Sequence, residues 1–143
     1  PLWLCAAPNW VQVHGLPSHP AQLSSGAWLQ RHGGEQLMRW RHVGSGELYE
    51  ARAEGRLVCD NVPALQSMCE AGLGVVLLTG LDAAEAIAAG RLQRLLAGWE
   101  MGQLAISAVT PHRARQPAKV SQAIEQLSNY LQQLLPAPAT ASR

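Results

Sequence analysis

The hydrophobic positions fall into short runs whose spacing predicts strands. Residues 2–6 form an apolar run ended by Pro8, which is typical of a buried strand. Residues 37–42 alternate, so that Met38, Trp40 and His42 face one way and Leu37, Arg39 and Arg41 the other. Further strands are predicted at 27–30, near 54–59, at 74–78, at 91–96 and at 103–109. The run 74–78 has no polar face, which predicts a central strand covered on both sides.

Helical spacing is clearest after residue 60. Asp60 and Asn61 are candidate N-caps, Pro63 suits a first helical turn, and Gly72 ends the segment. Further helices are predicted at 9–14, 82–89 and 118–135. Since strands alternate with helices, the pattern predicts an α/β fold with a largely parallel sheet.

The end of the chain suggests that part of a domain is missing. The strand predicted at 103–109 and the helix at 118–135 need a sheet to pack on. We therefore expect a truncated chain. The proline- and alanine-rich tail 136–143 is expected to be disordered.

Composition narrows the class of protein. Hydrophobic residues make up 48% of the 143 residues and charged ones 15%, which predicts a folded chain. The net charge of +1 argues against a nucleic-acid surface on this chain. The apolar runs are far shorter than the roughly 20 residues that span a bilayer, so we expect no membrane contact. Three scattered cysteines and five histidines without ligand spacing predict reduced cytoplasmic thiols, with no metal and no cofactor.

The place of each tryptophan in the pattern indicates its environment. Trp3 and Trp40 lie on strand-like segments and are expected in the core. Trp10 and Trp28 lie near loop edges, where core packing and a pocket wall are both open interpretations. Trp99 ends a loop and is expected to be partly exposed.

No catalytic constellation is present, and no enzymatic activity is expected. The candidate chemistry lies where the strand ending at Val58 turns into the helix at Pro63. In parallel α/β sheets, ligands bind at that edge. Two interpretations are open: the residues only cap the helix, or Cys59, Asp60 and Asn61 line a small-molecule site. If Asn61 is the cap, Asp60 is available to a ligand's hydroxyl, amide or amine.

Four stretches, taken in order, resemble a known family. They are Leu4-Cys-Ala-Ala-Pro-Asn-Trp10 with His14-Gly-Leu-Pro-Ser-His-Pro-Ala-Gln-Leu23, Gly55-Arg-Leu-Val-Cys-Asp-Asn61 with Ala71-Gly-Leu-Gly-Val75, Ala89-Gly-Arg-Leu92 with Trp99, and Ala105-Ile-Ser-Ala-Val-Thr-Pro-His-Arg113 with Pro117-Ala-Lys-Val120. Together they resemble the C-terminal two-thirds of the effector-binding domain of LysR-type transcriptional regulators, over about residues 1–135.

The resemblance implies a periplasmic-binding-protein-like α/β fold, a mixed sheet with flanking helices. By that likeness residues 7–103 form a complete second subdomain, and 2–6 and 103–109 are crossover strands. Residues 110–135 belong to a first subdomain that is only partly present.

The resemblance also implies a ligand cleft between the subdomains. The residues expected to border it are Ala7, Pro8, Asn9, Cys59, Asp60, Asn61 and Thr79, with Asp60 and Asn61 foremost. Ala7 replaces the family's usual serine and Thr79 its usual proline, which leaves the ligand's identity open.

The implied partners are a small polar effector and further copies of the chain through their effector domains. DNA would be bound only through a helix-turn-helix that this chain lacks. The alternative is a fragment of a periplasmic-type solute-binding protein that serves a transporter.

Overall fold

The computed structural model describes residues 1–110 and 118–134. It forms two compact units, Pro1–Leu104 and Ala105–Arg143. The strands are β1 (Leu2–Ala6), β2 (Trp28–Gln30), β3 (Glu35–His42), β4 (Leu48–Glu54), β5 (Leu57–Val58), β6 (Val75–Thr79), β7 (Gln93–Arg94) and β8 (Trp99–Glu100). The helices are α1 (Pro8–His14), α2 (Val62–Glu70), α3 (Gly80–Ala88) and α4 (Ala118–Leu134), and two 3₁₀ turns lie at Pro20–Gln22 and Ser25–Ala27.

The larger sheet has the strand order β5-β2-β6-β1-β7. β2 is parallel to both β5 and β6, whereas β1 is antiparallel to both β6 and β7. The expectation of a largely parallel sheet is therefore wrong in this respect. The sheet is mixed, as the family resemblance implied, because β1 enters it in the opposite direction.

A second, antiparallel sheet has the order β4-β3-β8. Its β3 strand alternates as predicted, with Met38 and Trp40 buried and Leu37 exposed. The sequence pattern did not predict β4, and it placed near 54–59 a strand that forms only over Leu57–Val58.

The larger sheet is covered on both faces. One core, which includes Leu4, Trp28 and Val75 from this sheet, also contains Met38, Trp40 and Ala53 from the second sheet. The other core joins Cys5, Leu29 and Val76 of the sheet to apolar residues of α2 and α3. β6 therefore has a core on each side, which confirms the prediction of a central, doubly covered strand.

The helix predicted after residue 60 is confirmed as α2. Asn61 is its N-cap, and Gly72 follows it with φ +82°, a conformation that glycine adopts without strain. α3 begins two residues before the predicted position because Thr79 acts as its N-cap.

Two further expectations are wrong. The described residues 101–110 contain no strand, so the strand predicted at 103–109 does not form. A strand needs a neighbour to complete its hydrogen bonds, and among the described residues this segment pairs through Gly102 O, which accepts from the Leu2 N–H at 3.2 Å. Trp99 is 6% exposed rather than partly exposed, since its ring packs on His19 and His42.

The other tryptophans divide as follows. Trp40, Trp10 and Trp28 are buried in the core between the two sheets, so Trp10 and Trp28 pack there rather than wall a pocket. Trp3 is half-buried at the margin of the other core.

The second unit contains α4, which agrees with the helix predicted at 118–135. Its apolar residues Val120, Leu127 and Tyr130 are exposed. The predicted tail 136–143 lies outside the described residues. Among the residues that the structure describes, no helix is long and apolar enough to cross a membrane.

Candidate functional site

The carboxyl ends of β2, β5 and β6 meet at one edge of the larger sheet, because these strands are parallel. Leu29 pairs with both Leu57 and Val76, which aligns the three strands. Cys59, Asp60 and Asn61 follow β5, and Thr79 ends β6. We call these four residues the carboxyl edge. Four of the seven predicted site residues are thus brought to the same edge of the sheet.

Asn61 is the residue that caps α2. Its side-chain Oδ1 accepts a hydrogen bond from the Ala64 N–H at 2.9 Å. Pro63 has no N–H, so that position needs no partner. Asp60 is exposed, and its carboxylate has no hydrogen bond or ion pair within residues 1–110 and 118–134. Asp60 is therefore available to a ligand, which was one of the alternatives that the sequence left open.

Thr79 is engaged within the fold. Its hydroxyl accepts from the Asp82 N–H at 3.2 Å and donates to Asp82 Oδ2 at 2.6 Å. The Gly80 N–H donates to Pro1 O at 3.1 Å. The first turn of α3 thus has two of its N–H groups occupied and a carboxylate beside it, which makes it a weak binding point for an anion.

Cys59 is half-buried at the carboxyl edge, where its Sγ lies 3.8 Å from Asn61 O. The other two thiols lie in the core. Burial raises the pKa of Cys5 to about 12, and it also raises the pKa of Cys69 to about 12. These two thiols stay protonated near neutral pH and are structural, whereas Cys59 is the more accessible one.

Ala7, Pro8 and Asn9 lie elsewhere. β1 runs antiparallel to β6, with Leu2 opposite Thr79 and Cys5 opposite Val76. Residues 7–9 therefore emerge at the end of the sheet away from Thr79. The direction of β1 therefore separates the seven residues into two groups at opposite ends of the sheet, and the assignment of all seven to one ligand cleft stays a prediction.

At that opposite end lies an open groove of about 470 Å³. Its lining residues are Ala7, Pro8, Asn9, Gln12, Glu70, Gly90 and Arg91. Arg91 donates to Glu70 at 3.0 Å and to Glu85 at 3.2 Å. The hydrogen bond to Glu85, followed by the charge of Glu70, raises the pKa of Arg91. The charged groups of the groove largely satisfy one another, which leaves little to bind a polar ligand.

One residue beside the carboxyl edge was not found from the sequence. Gln30 ends β2, is 3% exposed, and accepts a hydrogen bond from the Cys59 N–H through its main-chain oxygen at 2.9 Å. A polar residue at the end of an apolar run is typical of any strand terminus, so the pattern gave no signal for it.

The described residues contain no group of three or more His, Cys, Asp and Glu side chains that could hold a metal ion. The groups that could contact a ligand at the carboxyl edge are the exposed Asp60 carboxylate, the half-buried Cys59 thiol and the N-terminal ends of α2 and α3.

A family model described as the LysR substrate binding domain matches residues 1–132. Among curated proteins, the chain is 32% identical over 128 residues to the HTH-type transcriptional regulator PtxR of Pseudomonas aeruginosa, covering 88% of this chain and 40% of that protein. It is 25% identical over 130 residues to the HTH-type transcriptional activator AaeR of Escherichia coli, covering 91% of this chain and 42% of that protein.

The solved structures that match are also from regulatory domains. The regulatory domain of AphB from Vibrio vulnificus matches with a TM-score of 0.66 and 26% identity, covering 90% of this chain and 64% of that one. The regulatory domain of CrgA, a LysR-type transcriptional regulator from Neisseria meningitidis, matches with a TM-score of 0.54 and 26% identity over 67% of this chain and 47% of that one.

Proposed function

This chain belongs to the LysR substrate binding domain family, and from that premise we propose that it senses a small polar metabolite for a LysR-type transcriptional regulator. The fold is the periplasmic-binding-protein-like α/β fold of the matched regulatory domains. The relatives named above are transcriptional regulators, and we propose no enzymatic reaction for this chain.

The observation that carries the proposal is that Asn61, and not Asp60, caps α2. Asn61 caps α2, and the exposed Asp60 carboxylate beside it has no hydrogen bond or ion pair among the residues that the structure describes. It stands at the carboxyl end of parallel strands, the edge at which open α/β sheets bind ligands. An ionised carboxylate accepts hydrogen bonds, so it suits a ligand that presents hydroxyl, amide or amine donors.

The effect on transcription belongs to a longer protein. The chain spans about 40% of the length of the curated relatives it matches. DNA binding through a helix-turn-helix outside this chain, and association of effector domains into an oligomer, are parts of the proposal. A ligand held between two subdomains shifts their equilibrium by its difference in affinity for the two arrangements.

The test begins with an intact two-subdomain effector domain and a library of polar metabolites, screened by thermal shift. Calorimetry then compares the best ligand on wild type, on Asp60→Ala and on the control Arg91→Ala, which alters the opposite groove. We expect Asp60→Ala to weaken binding about tenfold or more, the scale of a lost charged hydrogen bond, and Arg91→Ala to leave it unchanged. Equal affinities of wild type and Asp60→Ala would contradict the site.

A further inference from the structure

The Gln30 side chain connects the two sheets. It extends from the end of β2, on the side of that strand that faces the second sheet. Its Nε2 donates to Ala53 O of β4 at 3.0 Å, and its Oε1 accepts from the Gly55 N–H at 2.7 Å. Both ends of a 3% exposed carboxamide are thus satisfied by backbone groups of one segment.

The same residue also holds the segment further along. Its main-chain oxygen accepts from the Cys59 N–H at 2.9 Å. Gln30 therefore bonds to the backbone at Ala53, Gly55 and Cys59, which includes both ends of the link between β4 and the carboxyl edge. The next two residues after Cys59 are Asp60 and the cap Asn61.

The residue next to the Gln30 carboxamide is Gly55, which has no side chain to obstruct it. A Cβ atom on Gly55 would lie 2.7 Å from Gln30 Oε1 and 2.8 Å from its Cγ. Only glycine permits this close approach of backbone to carboxamide. Buried hydrogen bonds of this kind are costly to lose, because each unpaired backbone group stays out of reach of water.

We propose that Gln30 is the positioning residue of the carboxyl edge: its carboxamide fixes residues 53–59 and so sets where Asp60 stands relative to the second sheet. The ligand-binding part of this statement rests on the proposed function. The hydrogen bonds from Gln30 to the backbone at Ala53, Gly55 and Cys59, which we call the clamp, are a property of the folded chain and are measured without any ligand.

The half-buried Cys59 thiol reports on the clamp. The 143-residue chain is treated with 4,4′-dithiodipyridine, and the rate at Cys59 is followed by peptide mass spectrometry. We expect Gln30→Leu to raise this rate about tenfold, the order by which losing a buried hydrogen-bond partner shifts a local opening. The matched control is Gln36→Leu, because Gln36 donates to a backbone oxygen too, His32 O at 3.3 Å, but on β3. It should leave the rate unchanged.

A conservative variant separates positioning from general stability. In Gln30→Glu, a protonated carboxyl group can donate to Ala53 O and accept from the Gly55 N–H, whereas the ionised form has no donor. The Cys59 rate, divided by the wild-type rate at the same pH, should be raised at pH 8 and return toward one at pH 5. A residue that only fills space would give the same ratio at both values.

Several results would overturn the proposal. One is an equal effect of Gln30→Leu and Gln36→Leu, and another is an equal rise at the buried Cys5 and Cys69, which would mean global unfolding. If the Gln30 variants do not fold, hydrogen exchange of the wild type decides. The Gly55 and Cys59 amides should be as protected as those of the β3–β4 ladder, and rapid exchange would exclude the clamp. A failed calorimetry experiment would leave these ligand-free results standing.

Discussion

Asn61 Oδ1 accepts a hydrogen bond from the Ala64 N–H at 2.9 Å, so the residue that caps α2 is not the residue whose carboxylate faces solvent. The preceding Asp60 is exposed. This relationship gives two neighbouring polar residues separate roles, one in the stability of the helix and one, by our proposal, in binding.

Replacing Asn61 should therefore reduce stability, and replacing Asp60 should not. Loss of an N-cap costs about 1 kcal/mol, so we expect Asn61→Ala to lower the free energy of unfolding by that amount. Asn61→Ser should recover most of it because serine also caps helices. Asp60→Ala, the control, should stay within about 0.5 kcal/mol of wild type. Urea unfolding measures all three, and a larger loss for Asp60→Ala would mean that Asp60 is the cap.

The buried thiols predict a loss of stability in alkali. Burial raises the pKa of Cys5 from 9.0 to about 12, and that of Cys69 likewise. Above pH 9 the unfolded chain loses these protons while the folded chain keeps them, so stability falls as pH rises toward 12. We expect a loss on the order of 1 kcal/mol per thiol for each pH unit in that window.

This dependence is measured by urea unfolding at pH 8, 9 and 10. Cys69→Ala is less stable at every pH but should show a shallower fall than wild type. Gly26→Ala, which leaves every thiol in place and whose added Cβ atom meets nothing within 4 Å, supplies the comparison and should keep the full wild-type slope. The same slope in Cys69→Ala and wild type would show that this thiol ionises in the folded state.

Gly74 marks a close approach of two backbone segments. A Cβ atom there would clash with Ala27 O and would lie 3.2 Å from Leu29 side-chain atoms. Backbone atoms cannot move aside as a flexible side chain does, so Gly74→Ala should cost about 2–3 kcal/mol. Gly26→Ala is the control, because a Cβ atom there meets nothing within 4 Å. Thermal unfolding that gives equal midpoints for the two variants would contradict this packing.

Local signals carried much of the fold prediction. The cap at Asn61, the proline at 63 and the glycine at 72 act within a few residues of one another, so the bounds of α2 could be derived from the sequence. The doubly covered strand β6 was likewise found from its lack of a polar face.

The rest depended on tertiary structure. No local feature of Leu2–Ala6 predicts whether this strand runs parallel or antiparallel to β6. Because it is antiparallel, Ala7, Pro8 and Asn9 lie at the other end of the sheet. β4 was missed although its inward positions alternate with charged ones, because two of those inward residues, Ala51 and Ala53, are alanines, which indicate a strand only weakly. Gln30 was missed because only the folded chain brings Ala53 and Gly55 to it.

The most direct test of the central claim is a hydrogen-exchange footprint of the bound metabolite on the intact effector domain. The account predicts that ligand slows exchange at residues 59–62 and 79–82 and leaves residues 7–12 and 90–91 unchanged. Protection confined to the groove at Asn9 and Arg91, with none at Asp60 and Asn61, would contradict it.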